Sequence, residues 1–317
     1  MGDAAGDLAA GLERALAGLA GAVTGAALGW LALGVALHLC NQVARGRGWC
    51  AIVRAACGND PRVRRRDAIG AWVAGAGAGG FASARGGDAV RVLLLRGRVP
   101  DARCPLLAGT LVAEGAGELA VGLALIAVAI LAGIGTPLDV SPAMLLAAAA
   151  VVAAAAAIVP RLRWRPRRLV AGPRLRGVAS QLGRGCAPLR APGAYARAVL
   201  PWQLASRACR LGALACFLAA FGLPATPAAV LLVAVAQGGA RLLPFAPASV
   251  GAGAAMLAAG FEPVTGAAVP ADRLAAFFVG TSAVLTAVGS VLALAICLRA
   301  VPWRELAATL RPRPTTG

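Results

Sequence analysis

The sequence has 317 residues, of which 59% are hydrophobic and only 14% are charged, and its mean hydropathy is +0.77. Soluble domains carry about 25% charged and about 45–50% apolar residues, so this composition excludes a soluble protein. The apolar residues are spread over many segments, which predicts an all-α, polytopic integral membrane bundle in one transmembrane domain, residues 1–317.

The net charge is +18, and every one of the 31 basic residues is Arg. These arginines lie mainly between apolar segments, as expected from the positive-inside rule and from binding to anionic lipid headgroups. No nucleic-acid-binding motif accompanies them, so we expect no nucleic-acid partner. The eight cysteines form no CxxC pair and His38 is the sole histidine, so we expect no disulfide framework, no metal site and no cofactor.

The N-terminal part of the chain predicts a tail, a membrane helix and a basic loop. Residues 1–14 form the tail, and Ala15–Cys40 is long enough for a spanning helix, which needs roughly 20 residues. The loop, residues 45–66, contains seven arginines. The next segment, Ala68–Ala82, is apolar, rich in Gly and only about 15 residues long, which favours a re-entrant or broken helix over a full span.

The stretch FASARGGDAVRVLLLRGRVPDA, residues 81–102, predicts an amphipathic helix at the membrane interface. Asp88 and Arg91 are three residues apart and therefore neighbours if the stretch is helical. The break of small residues around Arg85 and Gly87 precedes the helix. Backbone N–H groups at a helix start favour an anion such as phosphate.

The following apolar helix, Pro105–Gly133, is interrupted by Glu114 and Glu118, which lie four residues apart on one helix face. A carboxylate within the hydrocarbon is costly, so such residues are candidates for a functional site. The alternative interpretation is a structural ion pair that locks helices together. Arg207, Arg210 or Arg241 could pair with these carboxylates or bind a lipid phosphate.

The second half of the chain alternates apolar segments with one long basic loop. The loop, residues 161–197, contains ten Arg and no acidic residue, so we expect it in the cytoplasm. The remaining predicted segments are Ala143–Val159, Leu200–Phe221, Ala228–Leu243, a short Gly-rich segment at 244–261, Ala271–Leu298 and a C-terminal tail at 299–317.

Placing every Arg-rich loop in the cytoplasm predicts the topology. The N-terminus lies outside and the C-terminus inside, with seven crossings and one re-entrant segment, or about seven or eight membrane segments with one or two broken Gly-rich helices. Residues 71–95 and 229–258 also share an apolar, Gly-rich, interrupted pattern. Paired interrupted segments indicate the central site of a transporter, although an Ala- and Gly-rich chain can produce such a pattern by chance.

Two motifs resemble those of a known family. In SARGGDAVR, residues 83–91, Arg85, Gly87 and Arg91 match a Pro-Gly-Arg-x-Gly-Glu-x-x-Arg segment, and Asp88 replaces its Glu. Glu114 matches a following valine-glutamate-arginine-x-x-aspartate helix, in which Gly115 replaces Arg and Glu118 replaces Asp. This pattern is similar to that of the lysylphosphatidylglycerol synthase transmembrane-region family, also called flippase-like domain proteins.

A third family segment, Pro-Gly-Gly-x-Gly-x-x-Glu, resembles residues 247–254, where Pro247 and Gly251 match and Ala254 stands at the position of the Glu. The resemblance implies a stand-alone, divergent bacterial member without the aminoacyl-transferase domain. It further implies substrate binding by the residues that its motifs share with this chain.

The residues and the resemblance together favour a lipid flippase or lipid-handling protein of the plasma membrane over an enzyme. It would bind an anionic phospholipid or a polyprenyl-phosphate-linked headgroup and move it between leaflets. One alternative is a non-catalytic scaffold for a cell-envelope enzyme, which would then be its partner. The other is an enzyme on a lipid-linked substrate, with Asp88 or Glu114 as general base; otherwise we expect no catalytic residue. The predicted substrate-binding residues are Arg85, Gly87, Asp88, Arg91, Glu114, Glu118, Arg241, Pro247 and Gly251.

Overall fold

The computed structural model of the chain describes residues 25–81, 84–99, 101–131, 173–240 and 246–300. Within these ranges all regular structure is helical, which confirms the predicted all-α class. The helices are α1 (Gly25–Ala56), α2 (Arg65–Phe81), α3 (Ala84–Arg98), α4 (Cys104–Leu131), α5 (Pro173–Gly185), a 3-10 helix (Ala187–Arg190), α6 (Pro192–Ala220), α7 (Pro227–Ala240), α8 (Ala246–Thr265) and α9 (Ala271–Ala300). The predicted segment Ala143–Val159, Arg241, the tail 1–14 and most of the tail 299–317 lie outside the described residues.

Three of the described helices are long and apolar enough to cross a membrane. They are Ala27–Ala56, Cys104–Leu125 and Ala271–Arg299, and Pro227–Gly238 is a shorter apolar helix. Exposed leucines and valines on these helices, such as Leu294 and Val291 of α9, provide surface for lipid chains. The protein is therefore a helical membrane protein, and the number of crossings and the re-entrant segment stay predictions.

Helix α1 continues 16 residues beyond the predicted end at Cys40, so the predicted basic loop begins inside a helix. Ala and Arg are both strong helix formers, and the buried side chains of Trp49, Ile52 and Val53 fix this half of α1 against its neighbours. Gly58 (φ 67°) and Asn59 (φ 61°) then adopt the left-handed conformation that ends the helix. The prediction of a loop at 45–56 is wrong because a hydropathy pattern detects the charged residues but not the helix propensity of this Ala- and Arg-rich stretch.

Helices α2 and α3 form an antiparallel hairpin. In the first turn of α3, a Cβ atom built on Gly87 would overlap the carbonyl oxygen of Gly75, so the two backbones are in direct contact. At the open end of the hairpin, Arg62 before α2 pairs with Asp101 after α3, which places both ends on one side of the molecule. Helix α2 is continuous over Arg65–Phe81, without the predicted break, and α3 packs back along it. The position of α3 at the membrane interface stays a prediction.

The predicted loop at 161–197 is helical over much of its described part. Helix α5 packs on α4, where Gly109 and Gly185 bring the two backbones together. The 3-10 helix follows, and α6 begins at Pro192 instead of the predicted Leu200. Arginines placed by hydropathy in a loop therefore lie on short helices that cover the ends of α1 and α4.

Helices α6 to α9 form the second half of the fold around a continuous apolar core. Helix α7 contacts α6 and α8, and α8 contacts α9. Helix α8 is continuous where the sequence predicted a short Gly-rich segment, and its Gly253 leaves room for the ring of Phe278. The largest fully buried side chains of this core are Phe217, Leu218, Leu232, Leu257, Phe261, Leu274 and Phe277. This core meets the first half through α1, which lies along α6, and through α9, which lies against α2.

Candidate functional site

Two carboxylates of α4 meet one arginine of α1 in the interior of the fold. Glu114 is 8% exposed, and its Oε1 accepts a hydrogen bond of 3.2 Å from Nη2 of Arg45. The same Nη2 also pairs with Oε1 of Glu118. A buried charge is costly unless it is paired, so Arg45 is what allows both carboxylates to lie here.

A tryptophan of α2 contacts both this arginine and a second one on α3. The guanidinium carbon of Arg45 lies 4.7 Å from the ring centroid of Trp72, and that of Arg91 lies 3.9 Å from it. Arg91 also pairs with Asp88 at 2.7 Å. Cation–π contacts contribute about 0.5–2 kcal/mol each, so the ring holds two cations close together that would otherwise repel each other.

Hydrogen bonds to neighbouring helices fix the orientation of the aromatic groups. Nε1 of Trp72 donates to Oε1 of Gln42 at 3.1 Å. Nε1 of Trp49 donates to Oγ1 of Thr110 at 3.0 Å, and that hydroxyl donates to the carbonyl oxygen of Leu107 at 2.6 Å. The two tryptophan rings also contact each other, with centroids 6.0 Å apart. These hydrogen bonds connect α1 with α2 and with α4, one helical turn away from the charged side chains.

Helix α6 lies beside these charges and binds backbone carbonyl groups of α4. Nη2 of Arg207 donates to the backbone carbonyl of Glu118 at 3.2 Å, and the hydroxyl of Tyr195 donates to the carbonyl of Ala113 at 2.9 Å. Tyr195 precedes the span predicted at Leu200–Phe221, and burial, followed by the nearby Glu114, raises its pKa to about 12. It is therefore a neutral donor at physiological pH.

The structure brings together five of the predicted site residues. Asp88 and Arg91 lie on α3, and Glu114 and Glu118 lie on α4. Gly87, also on α3, contacts the backbone of α2. Arg85 lies in the first turn of α3, and its side chain is outside the description, as is all of Arg241. Pro247 and Gly251 lie on α8, which packs on α7 and α9. Gly251 faces open space, so the described fold does not bring this pair to the cluster.

The residues that sequence reasoning missed are Arg45, Trp72 and Gln42. From the sequence, Arg207, Arg210 and Arg241 could pair with the carboxylates or bind a lipid phosphate. In the structure Arg207 binds a backbone carbonyl, and Arg210 donates to Gln237 at 3.5 Å. A signal was present in the sequence, because His38, Gln42 and Arg45 follow helical spacing. That signal requires α1 to extend past Cys40.

The chemistry available at this site is the binding of an anion by two guanidinium groups. Nε of Arg45 and Nε of Arg91 are both buried and have no hydrogen-bond partner within the described residues. Such donors are costly to leave unpaired, and a phosphate offers several acceptor oxygens. The cavity beside Arg45 has a volume of about 10 Å³, room for roughly one water molecule, so this conformation is closed to a headgroup. We call Arg45, Trp72, Asp88, Arg91, Glu114 and Glu118 the charged cluster.

Comparison with known proteins gives one match. The family model described as the lysylphosphatidylglycerol synthase TM region matches residues 10–293. No curated protein and no solved structure matched the chain. The match includes every helix that contributes to the charged cluster.

Proposed function

The chain belongs to the lysylphosphatidylglycerol synthase TM region family and is a membrane lipid-related protein, and from this premise we propose that it is a lipid flippase. It binds the anionic headgroup of a phospholipid or of a polyprenyl-phosphate-linked lipid and moves that headgroup between leaflets. We further propose that it does so as a multi-pass protein of the plasma membrane.

The observation that supports this proposal is the pair of guanidinium groups that both contact the ring of Trp72. Each carries a buried Nε without an acceptor among the described residues, and both lie in the helical interior of a membrane protein. A charged headgroup can cross the hydrocarbon only if cations replace its hydration. Arg45 and Arg91 supply those cations from two different helices.

The ion pairs indicate how the site would release and take up the headgroup. Glu114 has a side chain only 10% exposed, whereas that of Glu118 is 25% exposed, and both share Arg45. A phosphate that approaches Arg45 would displace the more accessible Glu118, and Glu114 would remain as the fixed partner. Because the cavity is closed in this conformation, uptake requires α1 to separate from α4.

The experiment is a leaflet-exchange assay in proteoliposomes with a fluorescent phosphatidylglycerol and a fluorescent phosphatidylcholine. We expect the protein to accelerate exchange of phosphatidylglycerol, and Arg91→Gln to slow this exchange by about tenfold or more, since a charge-assisted hydrogen bond contributes about 1.5–3 kcal/mol. Arg91→Lys retains the charge but loses the planar stack on Trp72, so we expect an intermediate rate.

Arg98→Gln is the matched control, because it removes the same charge from an exposed position of the same helix. We expect it to exchange lipid at the wild-type rate. Equal rates for Arg91→Gln and Arg98→Gln, or a wild-type rate no faster than protein-free liposomes, would reject the proposal. Those outcomes would favour the scaffold interpretation, which copurification of a cell-envelope enzyme would then test.

A further inference from the structure

A second cavity, separate from the charged cluster, lies between the C-terminal half of α1, the 3-10 helix and the first turns of α6. Its volume is about 410 Å³, within the range of small-molecule and headgroup sites. None of the residues of the charged cluster lines it, and the two sites adjoin through Tyr195 and Val199 of α6. It therefore needs an explanation that the flippase proposal does not provide.

The charged lining of this cavity is entirely cationic. Arg47, Arg54 and Arg65 line it, and no Asp or Glu is among its lining residues in the described chain. The nearest acids in sequence are Asp60, which is paired with Arg62 at 3.0 Å, and Asp67 in the first turn of α2, which does not line the cavity. Three cations that share a cavity without an acid favour an anionic ligand.

Arg47 lines the cavity with a guanidinium group that an aromatic ring holds in place. Its guanidinium carbon lies 4.8 Å from the ring centroid of Trp202, so the ring fixes the plane of the group. Its Nε is buried and has no hydrogen-bond partner within the described residues. Arg54, at the other end, is fixed by a hydrogen bond of 2.9 Å from its Nε to the carbonyl of Val63.

The wall between these arginines is apolar. Arg47 and Arg54 are two helical turns apart, about 10 Å along α1. The side chains between and opposite them are small or aliphatic: Ala51, Ile52, Ala55, Ala194, Ala198 and Val199. A free phosphate would gain nothing from that wall, whereas a phosphate that carries an apolar chain would bury it there.

We infer that this cavity binds one anionic phospholipid, independently of the charged cluster. The phosphate lies toward Arg54 and Arg65 at the rim, where the loop 57–64 leaves α1. The glycerol esters lie toward Arg47, whose guanidinium group donates to an ester carbonyl, and one acyl chain follows Val199 and Trp202 into the bilayer. The site holds a lipid in place, and its occupancy does not require leaflet exchange.

The test is photolabelling of the full-length protein in detergent with a phosphatidylglycerol that carries a photoreactive group near the ester end of one acyl chain. Peptide mass spectrometry then locates the label. We expect labelling of residues 191–202, competed by unlabelled phosphatidylglycerol and not by equal concentrations of phosphatidylcholine or inorganic phosphate. Competition by inorganic phosphate would show that the cavity binds a free anion and not a lipid. Labelling of residues outside 191–202 would show that the lipid does not bind in this cavity.

Paired variants test whether the arginines of the cavity bind the labelled lipid. Arg47→Gln and Arg65→Gln should each lower labelling of 191–202 by about tenfold, the loss expected for one charge-assisted bond. Arg66→Gln removes the same charge from the neighbouring residue, which does not line the cavity, and should label like the wild type. Equal labelling in Arg65→Gln and Arg66→Gln would overturn the inference.

Two further variants separate this site from the flippase proposal. Ala198→Leu fills the cavity without a change of charge and should abolish the label, with the folded state checked by thermal unfolding. Glu114→Gln alters the charged cluster and should leave the label unchanged. If Glu114→Gln also removed the label, the cavity would be part of the exchange pathway and the independent site would be wrong. Failure of leaflet exchange by the wild type would leave this inference intact.

Discussion

Arg45 is the residue on which the buried charges of this protein depend. It contacts Glu114, Glu118 and the face of Trp72, and so connects α1, α4 and α2 through a single side chain. Asp88 and Arg91, by contrast, form a pair within α3, three residues apart in the same helix. The three ion pairs of the charged cluster therefore differ in kind, since the two of Arg45 join helices and the one of Arg91 is local.

We expect Arg45→Gln to destabilise the fold by about 3 kcal/mol, because removal of one partner leaves buried carboxylates without compensation. Glu114→Gln added to this variant should restore about half of the loss, since one uncompensated charge is then removed. The measurement is denaturant unfolding in detergent micelles, followed by tryptophan fluorescence. Arg98→Gln, exposed on α3, should change stability by no more than about 0.5 kcal/mol.

A smaller loss in Arg45→Gln than in its double variant with Glu114→Gln would contradict this account. The two carboxylates would then be stabilised by something other than Arg45. Such a result would also weaken the proposed exchange of Glu118 for a phosphate, because that step assumes that Arg45 is the shared cation.

At the scale of elements, neighbouring helices are held together by glycines at which their backbones touch. A Cβ on Gly109 of α4 would overlap the carbonyl oxygen of Leu182 in α5, and one on Gly77 of α2 would overlap the backbone of Gly289 in α9. Between apolar helices in a bilayer, close packing of this kind replaces the hydrophobic effect as the source of association. The many glycines of α2, which predicted a broken helix, instead provide flat contact surfaces.

Two glycines of α4 provide a matched test of this role. Gly109→Ala should destabilise the protein by about 1–3 kcal/mol, since the added methyl group forces α5 away from α4. Gly115→Ala, in the same helix, faces open space and should be neutral or stabilising by up to about 1 kcal/mol through helix propensity. Denaturant unfolding of both variants measures the difference, and equal stabilities would show that α4 and α5 separate without cost.

The sequence predicted the apolar helices well and their partners poorly. The bounds predicted for α4 and α9 agree with the structure to within about two residues, because long apolar segments admit no other element. The pairing of Asp88 with Arg91 is confirmed, because it depends only on helical spacing. The pairing of Arg45 with Glu114 spans 69 residues of chain, and no local pattern determines which of 31 arginines meets a distant carboxylate.

At the scale of the whole molecule, two polar contacts bear on the predicted topology. Arg62 and Asp101 connect the loops that flank the α2–α3 hairpin, so those loops share one side. Nη2 of Arg273 donates to the carbonyl oxygens of Phe221 and Gly222, at 3.2 Å and 3.4 Å, so the α6–α7 turn and the start of α9 also share one side. The positive-inside rule places the first pair of loops in the cytoplasm and the second pair outside.

Cysteine accessibility tests this arrangement in a variant whose eight native cysteines are replaced by Ser or Ala. Arg64→Cys and Arg103→Cys, in the two loops that flank the hairpin, should react with a membrane-impermeant maleimide only in inside-out vesicles. Ala225→Cys and Ala268→Cys, both exposed in the other two loops, should react in intact cells. Because α2 and α3 enter and leave together, Arg64→Cys and Arg103→Cys must react from the same side whatever the orientation of the protein.

Reaction of these two positions from opposite sides would contradict the hairpin. Reaction of all four positions from one side would contradict the predicted crossings of α6 and α9. The expected pattern would place the charged cluster, which lies between these two sets of loops, within the bilayer where a headgroup has to pass.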